Sequence, residues 1–531
     1  MFLLPSVEFF FSPSLHKKPM QLSILANCPC CQSFLPLLSI FCHFSQYFPT
    51  SLRISPLLFT FSHFSLNILP PPSPYLAINS ERGDRIPGNR LIETHSCLRL
   101  RRRMTCVRIS DYSLMKKLLL VLGFWPTSNS KFRLFRITLF YTVYIGYLLL
   151  QNSEISLFET NIRFMGSLLA CYALTGDVMF RDKAAQLGER MLPAFQTETG
   201  IPHSLINLHT GASKNYGWAS SGCSILSEIG TMHLEFTYLS DITGNPVFKS
   251  KVENVRKVLK NLEKPKGLYP NYIHPKTGKW GQHHMSLGGL GDSFYEYLLK
   301  AWIQSGKEDV EARQMYDEAI AAIDQHMIKT SQGKLLYVSD LKYDRLEHKM
   351  GHLACFAGGM FALGAKTQEN ELAERYMTIA AGLTNTCHES YDRSYTKLGP
   401  EAFHFIEGNE AKSLKNGEKY YILRPETFES YFVMWRLTKD PKYREWGWEA
   451  VQALEKYCRV PGGFTGLHNV YLVDPPQDDV QQSYFFAETL KYLYLLFSDD
   501  DLINLNDWVF NSEAHVLPIR GNPLYRASLS L

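Results

Sequence analysis

Five apolar segments of this chain open on an acidic residue, and those residues return at a regular interval. They are Glu159 in LFETNIRFMGSLLACY, Glu228 in SEIGTMHLEFTYL, Asp292 in GDSFYEYLLKAW, Glu426 in RPETFESYFVMW and Glu488 in AETLKYLYLLF. The steps between them are nearly equal, except that the step from Asp292 to Glu426 is double the others. KMGHLACFAGGMFALGA fits the missing position, with His352 where the other segments carry an acid.

The segments end alike, in YALTGDVMF, YLSDITGNPVF and MWRLTKDPKY. Each has an apolar helix tail, a turn of Thr with Gly or Lys and Asp or Asn, and then an aromatic residue that can open a second helix. The repeating unit is therefore a helix, a short turn and a helix. GLYPNYIHPKTGKWGQHHMSLGGLG alternates around the turn PKTG and reads as a β-hairpin. GKLLYVSDLKYDRLEHKMGH and VPGGFTGLHNVYLVDPPQDDVQQSYF read as further loop or hairpin insertions.

One such pair of helices cannot bury its apolar face alone, so repetition at this period predicts stacked or closed units. The expected fold is all-α, an αα barrel with short β-hairpin insertions. The more apolar helices form the inner ring, and their first turns converge at one mouth. A single acid in a first turn is ordinary, because capping and the helix dipole favour it. Five at one register predict a cluster, which is costly unless cations offset it or protons are taken up. Arg163, four residues after Glu159, and Arg424, two before Glu426, are the expected local cations. Paired carboxyls at a polar mouth suit acid and base work on a glycosidic bond. Tyr295, Phe428, Tyr484 and Trp280 are candidate stacking surfaces for sugar rings, with core packing as the alternative for each.

Composition bears on partners and on the start of the chain. At 531 residues, 20% charged and a formal charge of +4, the chain lacks the basic field of a nucleic-acid binder. Before Asp111 the only acids are Glu8, Glu81, Asp84 and Glu93, and no helix or strand period is present. We expect three parts: a segment of residues 1–150 that is not a domain, a barrel of residues 151–520 and a tail of residues 521–531. Ile137 to Ser153 is uncharged and could act as a signal anchor, with Lys131, Arg133 and Arg136 on the cytosolic side. The alternative is a wrongly defined start. Cys28, Cys30, Cys31, Cys42, Cys97 and Cys106 also lie before Asp111. Cys171, Cys223, Cys355, Cys387 and Cys458 remain, without CxxC spacing, which argues against zinc and allows one or two disulfides.

FETNIRF, LGGLGDSFYEYLLKAW, HKMGHLACF, ILRPETFESYF, AETLKYLYLLFSDDD and VFNSEAHVLP together resemble glycoside hydrolase family 47, the class I α-1,2-mannosidases, from about Glu154 to Pro518. The resemblance implies an (αα)7 barrel, a bound Ca²⁺ and hydrolysis of high-mannose N-glycans with inversion. It places the general acid at Glu159 with Arg163 as its partner, a second catalytic acid at Asp292, and the base at Glu426 beside Arg424. Glu228, Glu429, Glu488 and Glu513 match the acids lining the sugar and calcium pocket, and Tyr484 matches an aromatic position. Ser512 stands where the family's only direct protein ligand to calcium is a threonine. Cys355 and Cys387 match the family's disulfide.

Leu290 matches the Golgi subgroup, where endoplasmic-reticulum members carry arginine, and implies removal of several mannoses. A monomer in the Golgi membrane or lumen, or in the endoplasmic reticulum, is the expected setting. We find no counterpart in this sequence of the family's first helix pair. That favours an alternative reading, a catalytically impaired glycan-binding or quality-control protein on the same scaffold.

Overall fold

The computed structural model describes residues 152–367 and 371–526. Lys131, Arg133, Arg136 and all of the candidate anchor except Asn152 and Ser153 lie outside the described residues. No helix among the described residues is long and apolar enough to cross a membrane.

Six inner helices run through the described residues: 157–175, 226–243, Asp292–Gln304, 352–366, Glu426–Thr438 and 485–496. Each packs against the next in chain order. The first five are followed by an outer helix that returns along them: Val178–Met191, Val247–Asn261, Val310–His326, Glu371–Asp392 and Lys442–Ala453. Sequence pattern decides which layer a helix joins. Asp292–Gln304 buries 11 of its 13 residues, as a helix enclosed on every side must. Val247–Asn261 buries only Phe248, Val252, Val255 and Leu259, a single stripe spaced by three and four residues.

The repeated turns do what their composition predicts. Gly176 and Gly244 end the first two inner helices in the left-handed conformation, and each N–H closes onto the carbonyl four residues back. Lys439 takes the same conformation in the third copy, at φ 60°, without the freedom of glycine. Asp177 then caps the next helix through the Met179 N–H.

The insertions differ from the expected hairpins in one place. Tyr272–Ile273 and His284–Met285, on either side of PKTG, do not pair with each other. The first pairs with Ser224–Ile225, and the second pairs with Leu341–Lys342. The local turn around PKTG is closed by a bridge from Ile273 to Trp280, with the His274 N–H on the Lys279 carbonyl and the Gly281 N–H on the Tyr272 carbonyl. Alternation identified extended chain correctly, but partner choice is set by the neighbouring module. Arg459–Val460 and Gly463–Phe464 do form the expected local hairpin.

A last hairpin, Trp508–Phe510 paired with Val516–Pro518, packs on the first and third inner helices. It carries the turn residues 511–515 into the middle of the ring. Cys355, at the start of the fourth inner helix, is bonded to Cys387 of the following outer helix, 32 residues on. Cys171, Cys223 and Cys458 are buried. Closing a loop of that size restricts the unfolded chain, so Cys355→Ala with Cys387→Ala should cost about 2–4 kcal/mol, seen as a lower melting temperature with the helical signal intact.

Candidate active site

The first turns of the inner helices bring the expected residues to one place. Ser156 caps the first helix by accepting the Glu159 N–H at 3.1 Å, which puts Glu159 and Arg163 on consecutive turns of one face. Arg163 Nε donates to Glu159 at 2.6 Å, and its Nη1 donates to Glu513 at 2.6 Å and to Ser483. The guanidinium thus joins the first inner helix, the start of the sixth and the hairpin turn. It also lies over the Tyr484 ring, 5.8 Å from its centre.

Glu426 has its geometry fixed by two neighbours. His352 Nδ1 lies 2.7 Å from Glu426 Oε2, and the other ring nitrogen lies 2.6 Å from the Tyr391 hydroxyl. Arg424 Nη1 is 3.9 Å from Glu426, but its forked hydrogen bonds go to Glu401, at 2.6 and 2.7 Å. Burial alone would raise the Glu426 carboxyl. The His352 hydrogen bond and charge, with Arg424, outweigh it and hold Glu426 below the usual carboxylate range.

Asp292 is in the opposite state. Burial pushes it up to about 7, and the charges of Glu296 and Glu426 add to that. Its one hydrogen bond to the carboxyl comes from the Ser293 N–H, too little to reverse the effect. Asp292 of the third inner helix, which feels the charge of Glu426 on the fifth, and Glu426 itself are therefore driven apart in protonation.

The remaining acids form a mutually repelling group. Burial is the first cause of a raised Glu488, followed by Glu513, Glu426 and Glu429. Burial likewise takes Glu429 up to about 8, against the pull of Lys300, which is 3.8 Å away. Glu228 is raised to about 7 by burial and by the charge of Glu159, and lies against Ser204 and Tyr216.

Two loops ahead of these helices hold non-glycine residues at positive φ. Leu290 is at 79° and Leu423 at 63°, conformations that cost a branched side chain energy and persist where the surroundings enforce them. The Leu290 carbonyl accepts the Ser227 N–H at 3.0 Å, beside Glu228, and the Leu423 carbonyl accepts the Thr489 hydroxyl at 2.7 Å, beside Glu488. Each strained residue ties one inner helix start to another. Gly291 allows this approach, since a Cβ there would lie 2.2 Å from the Ser286 carbonyl oxygen.

Tyr295 and Phe428 are wholly buried and belong to the core, so they offer no sugar surface. Trp280 donates its indole N–H to the Glu263 carbonyl at the foot of an insertion. Tyr484 is partly buried, with its hydroxyl donated to the Ile422 carbonyl at 2.6 Å. The accessible aromatic platform is one the sequence reading missed: Trp218, 62% exposed, stacked on Tyr216 with ring centres 5.2 Å apart. Tyr216 and Leu290 pack on the same small cluster of Ala219, Cys223, Ile225 and Tyr272. Lys300, paired with Glu296 and Glu429 inside the ring, was also missed. A charged pair four residues apart on an otherwise apolar helix was its signal.

The donor set fits a hard cation. Ser512 uses only its N–H in hydrogen bonds within the described residues, which leaves its carbonyl and hydroxyl oxygens for a ligand. Glu488 and Glu513 lie close by, and the raised Glu488 and Glu429 are the carboxyls a nearby cation would relieve. No group of three or more His, Cys, Asp or Glu among the described residues could hold a metal directly. A hard cation bound here would take the two Ser512 oxygens as its protein ligands.

Residues 140–519 match the family model for glycosyl hydrolase family 47. The chain is 66% identical over 376 residues to mannosyl-oligosaccharide alpha-1,2-mannosidase IA of Drosophila melanogaster, covering 71% of this chain and 56% of that protein. It is 58% identical over 383 residues to mannosyl-oligosaccharide 1,2-alpha-mannosidase IB of Homo sapiens, covering 71% and 60%. Among solved structures, the alpha-1,2-mannosidase from Trichoderma reesei superposes with a TM-score of 0.64 at 27% identity, over 72% of this chain and 87% of that one. The chain thus spans less than two thirds of the length of these two curated relatives. With the family model covering most of the chain and the same αα barrel in a solved relative, this protein belongs to glycosyl hydrolase family 47.

Proposed function

We propose that this protein is a calcium-dependent α-1,2-mannosidase that trims high-mannose N-glycans with inversion. The observation that carries the reading is the opposed state of two carboxyls at one mouth, Asp292 raised to about 7 and Glu426 held low. Glu426 is the base: His352 and Arg424 fix it as a carboxylate, and Tyr391 fixes His352 in turn. Glu159, 47% exposed and anchored by Arg163, is the carboxyl able to reach a leaving oxygen. Asp292 keeps a proton in the site up to about neutral pH. Calcium, when bound, orients sugar hydroxyls and water as a hard oxygen-seeking ion.

The names of the curated relatives support the substrate class. The Trp218 and Tyr216 pair gives a stacking face at the mouth, and Leu290 beside it makes apolar contact without directed hydrogen bonds, which admits more than one mannose branch. The Cys355–Cys387 disulfide supports an oxidising compartment, in keeping with the secretory pathway and a Golgi setting. A monomer, anchored or free in the lumen, is the simplest form of this reading. The glycan-binding alternative is disfavoured because Glu159, Asp292 and Glu426 keep their partners.

The direction of the Asp292 shift fixes a pH dependence. Its acid form is present below about 7 and is lost as pH rises through that value. Mannose release per enzyme should fall on the alkaline side of about pH 7. Asp292→Asn should remove that limb and lower the rate about 10²- to 10⁴-fold, the range for loss of a proton-transfer group. Glu159→Gln should lower the rate and keep the limb. A limb retained in Asp292→Asn would contradict the assignment. Chelation should abolish release of mannose from a high-mannose glycan and added Ca²⁺ should restore it, whereas release that is insensitive to chelator would remove calcium from the account.

A further inference from the structure

Glu235 is the one carboxyl of the second inner helix that lies wholly buried below the mouth, and none of the steps above uses it. Its Oε1 accepts the Tyr297 hydroxyl at 2.7 Å and the Asn511 side-chain amide at 2.8 Å. Its Oε2 has no hydrogen-bond partner, and neither has the buried Asn161 Oδ1 on the first inner helix. Tyr297 and Asn511 are donors to the carboxyl, and Asn161 adds to their pull toward its charged form. Burial outweighs these donors and takes the Glu235 carboxyl up to about 7.

From Glu235 the chain of hydrogen bonds runs to the hairpin turn. The Tyr297 oxygen accepts the Ser512 N–H at 3.2 Å. Asn511, held by Glu235 and by the Ile162 carbonyl, uses its Oδ1 to accept the N–H groups of Glu513 and His515, at 3.0 and 2.8 Å. Lys491 donates to the Ala514 carbonyl. The first inner helix comes this close only because residue 166 is glycine; a Cβ there would lie 2.3 Å from the Asn511 amide nitrogen. Four inner helices thus grip one five-residue turn, and the grip reaches Ser512 itself through Tyr297.

We propose that Glu235 and Tyr297 are positioning residues for calcium: with Asn511 they form a hydrogen-bonded chain that fixes the main chain at Ser512 and so aims its two oxygens at the ion. This rests on the reading that Ser512 ligates calcium. Outer partners that orient a ligand act on metal affinity without touching the metal. Glu235→Gln is the conservative variant, since its carbonyl oxygen still accepts from Tyr297 and Asn511.

The test is calorimetric titration of Ca²⁺ into the full chain and into Ser512→Ala, Tyr297→Phe and Glu235→Gln, with the melting temperature of each calcium-free protein. Wild type should bind and Ser512→Ala should not; if both bind alike, the ligand reading fails and the positioning role with it. Given that difference, Tyr297→Phe should bind about tenfold more weakly, at the low end of what loss of an outer-shell partner costs. Glu235→Gln should stay within about twofold of wild type, by the isosteric argument. Wild-type affinity in Tyr297→Phe would overturn the proposal, and so would a loss in Glu235→Gln as large as that in Ser512→Ala. A purely structural role would lower the calcium-free melting temperature and leave the affinity of the folded protein unchanged. Should Tyr297→Phe not fold, Glu235→Ala, which removes the acceptor of the Tyr297 hydroxyl, decides: about tenfold weaker binding is expected, and wild-type affinity would overturn the proposal.

Discussion

Convergence of like charges inside a low-dielectric ring is the constraint that the rest of this molecule answers. Glu426, Glu429, Glu488 and Glu513 influence one another's ionisation, and Asp292 feels Glu426 as well. Unpaired carboxylates so placed would cost several kcal/mol each. The chain meets this in three ways. Arg163, Arg424 and Lys300 stand among the acids as fixed cations. His352 holds one carboxylate by a hydrogen bond from inside the core. The rest is met by proton uptake, visible in Asp292, Glu228 and Glu429, and by a place where a cation fits beside Ser512.

Building such a site takes strain and close approach. Leu290 and Leu423 sit at positive φ immediately before Asp292 and Glu426, and their carbonyls tie down the starts of the second and sixth inner helices. Ala514, at φ 55°, marks the corresponding bend in the hairpin turn. The first and sixth inner helices each begin with a wide π-helical stretch, Thr160–Met165 and Phe485–Thr489. Such stretches are costly in isolation and collect at functional sites. Here they carry Arg163 and Glu488.

Much of this was legible in the sequence, for physical reasons. The barrel could be read because its period is set by packing: each inner helix must be apolar nearly all round, and each must end in a tight turn. The acids could be read because a first turn is the one register that brings them to a common mouth. What could not be read depends on contacts between modules. Tyr272–Ile273 and His284–Met285 looked like one hairpin and pair elsewhere, since their partners lie in the strands that open the preceding helix pair and follow the next one. Arg424 was expected to serve Glu426, but its main partner is Glu401, in a loop with no periodic signal. Tyr295 and Phe428 looked like sugar platforms only because aromatic residues at helical spacing suit core and cleft alike.

The outcome is a mouth at which one carboxyl is fixed as a base and another holds a proton. That pairing suits a single displacement, in which water activated by Glu426 attacks one face of the sugar as the leaving oxygen is protonated on the other. The stereochemistry of the first product tests this most directly. Proton NMR of the full chain acting on an α-1,2-linked mannoside, recorded before mutarotation, should show β-mannose as the first product. Initial release of α-mannose would mean a covalent intermediate and would contradict the roles given to Glu426 and Asp292.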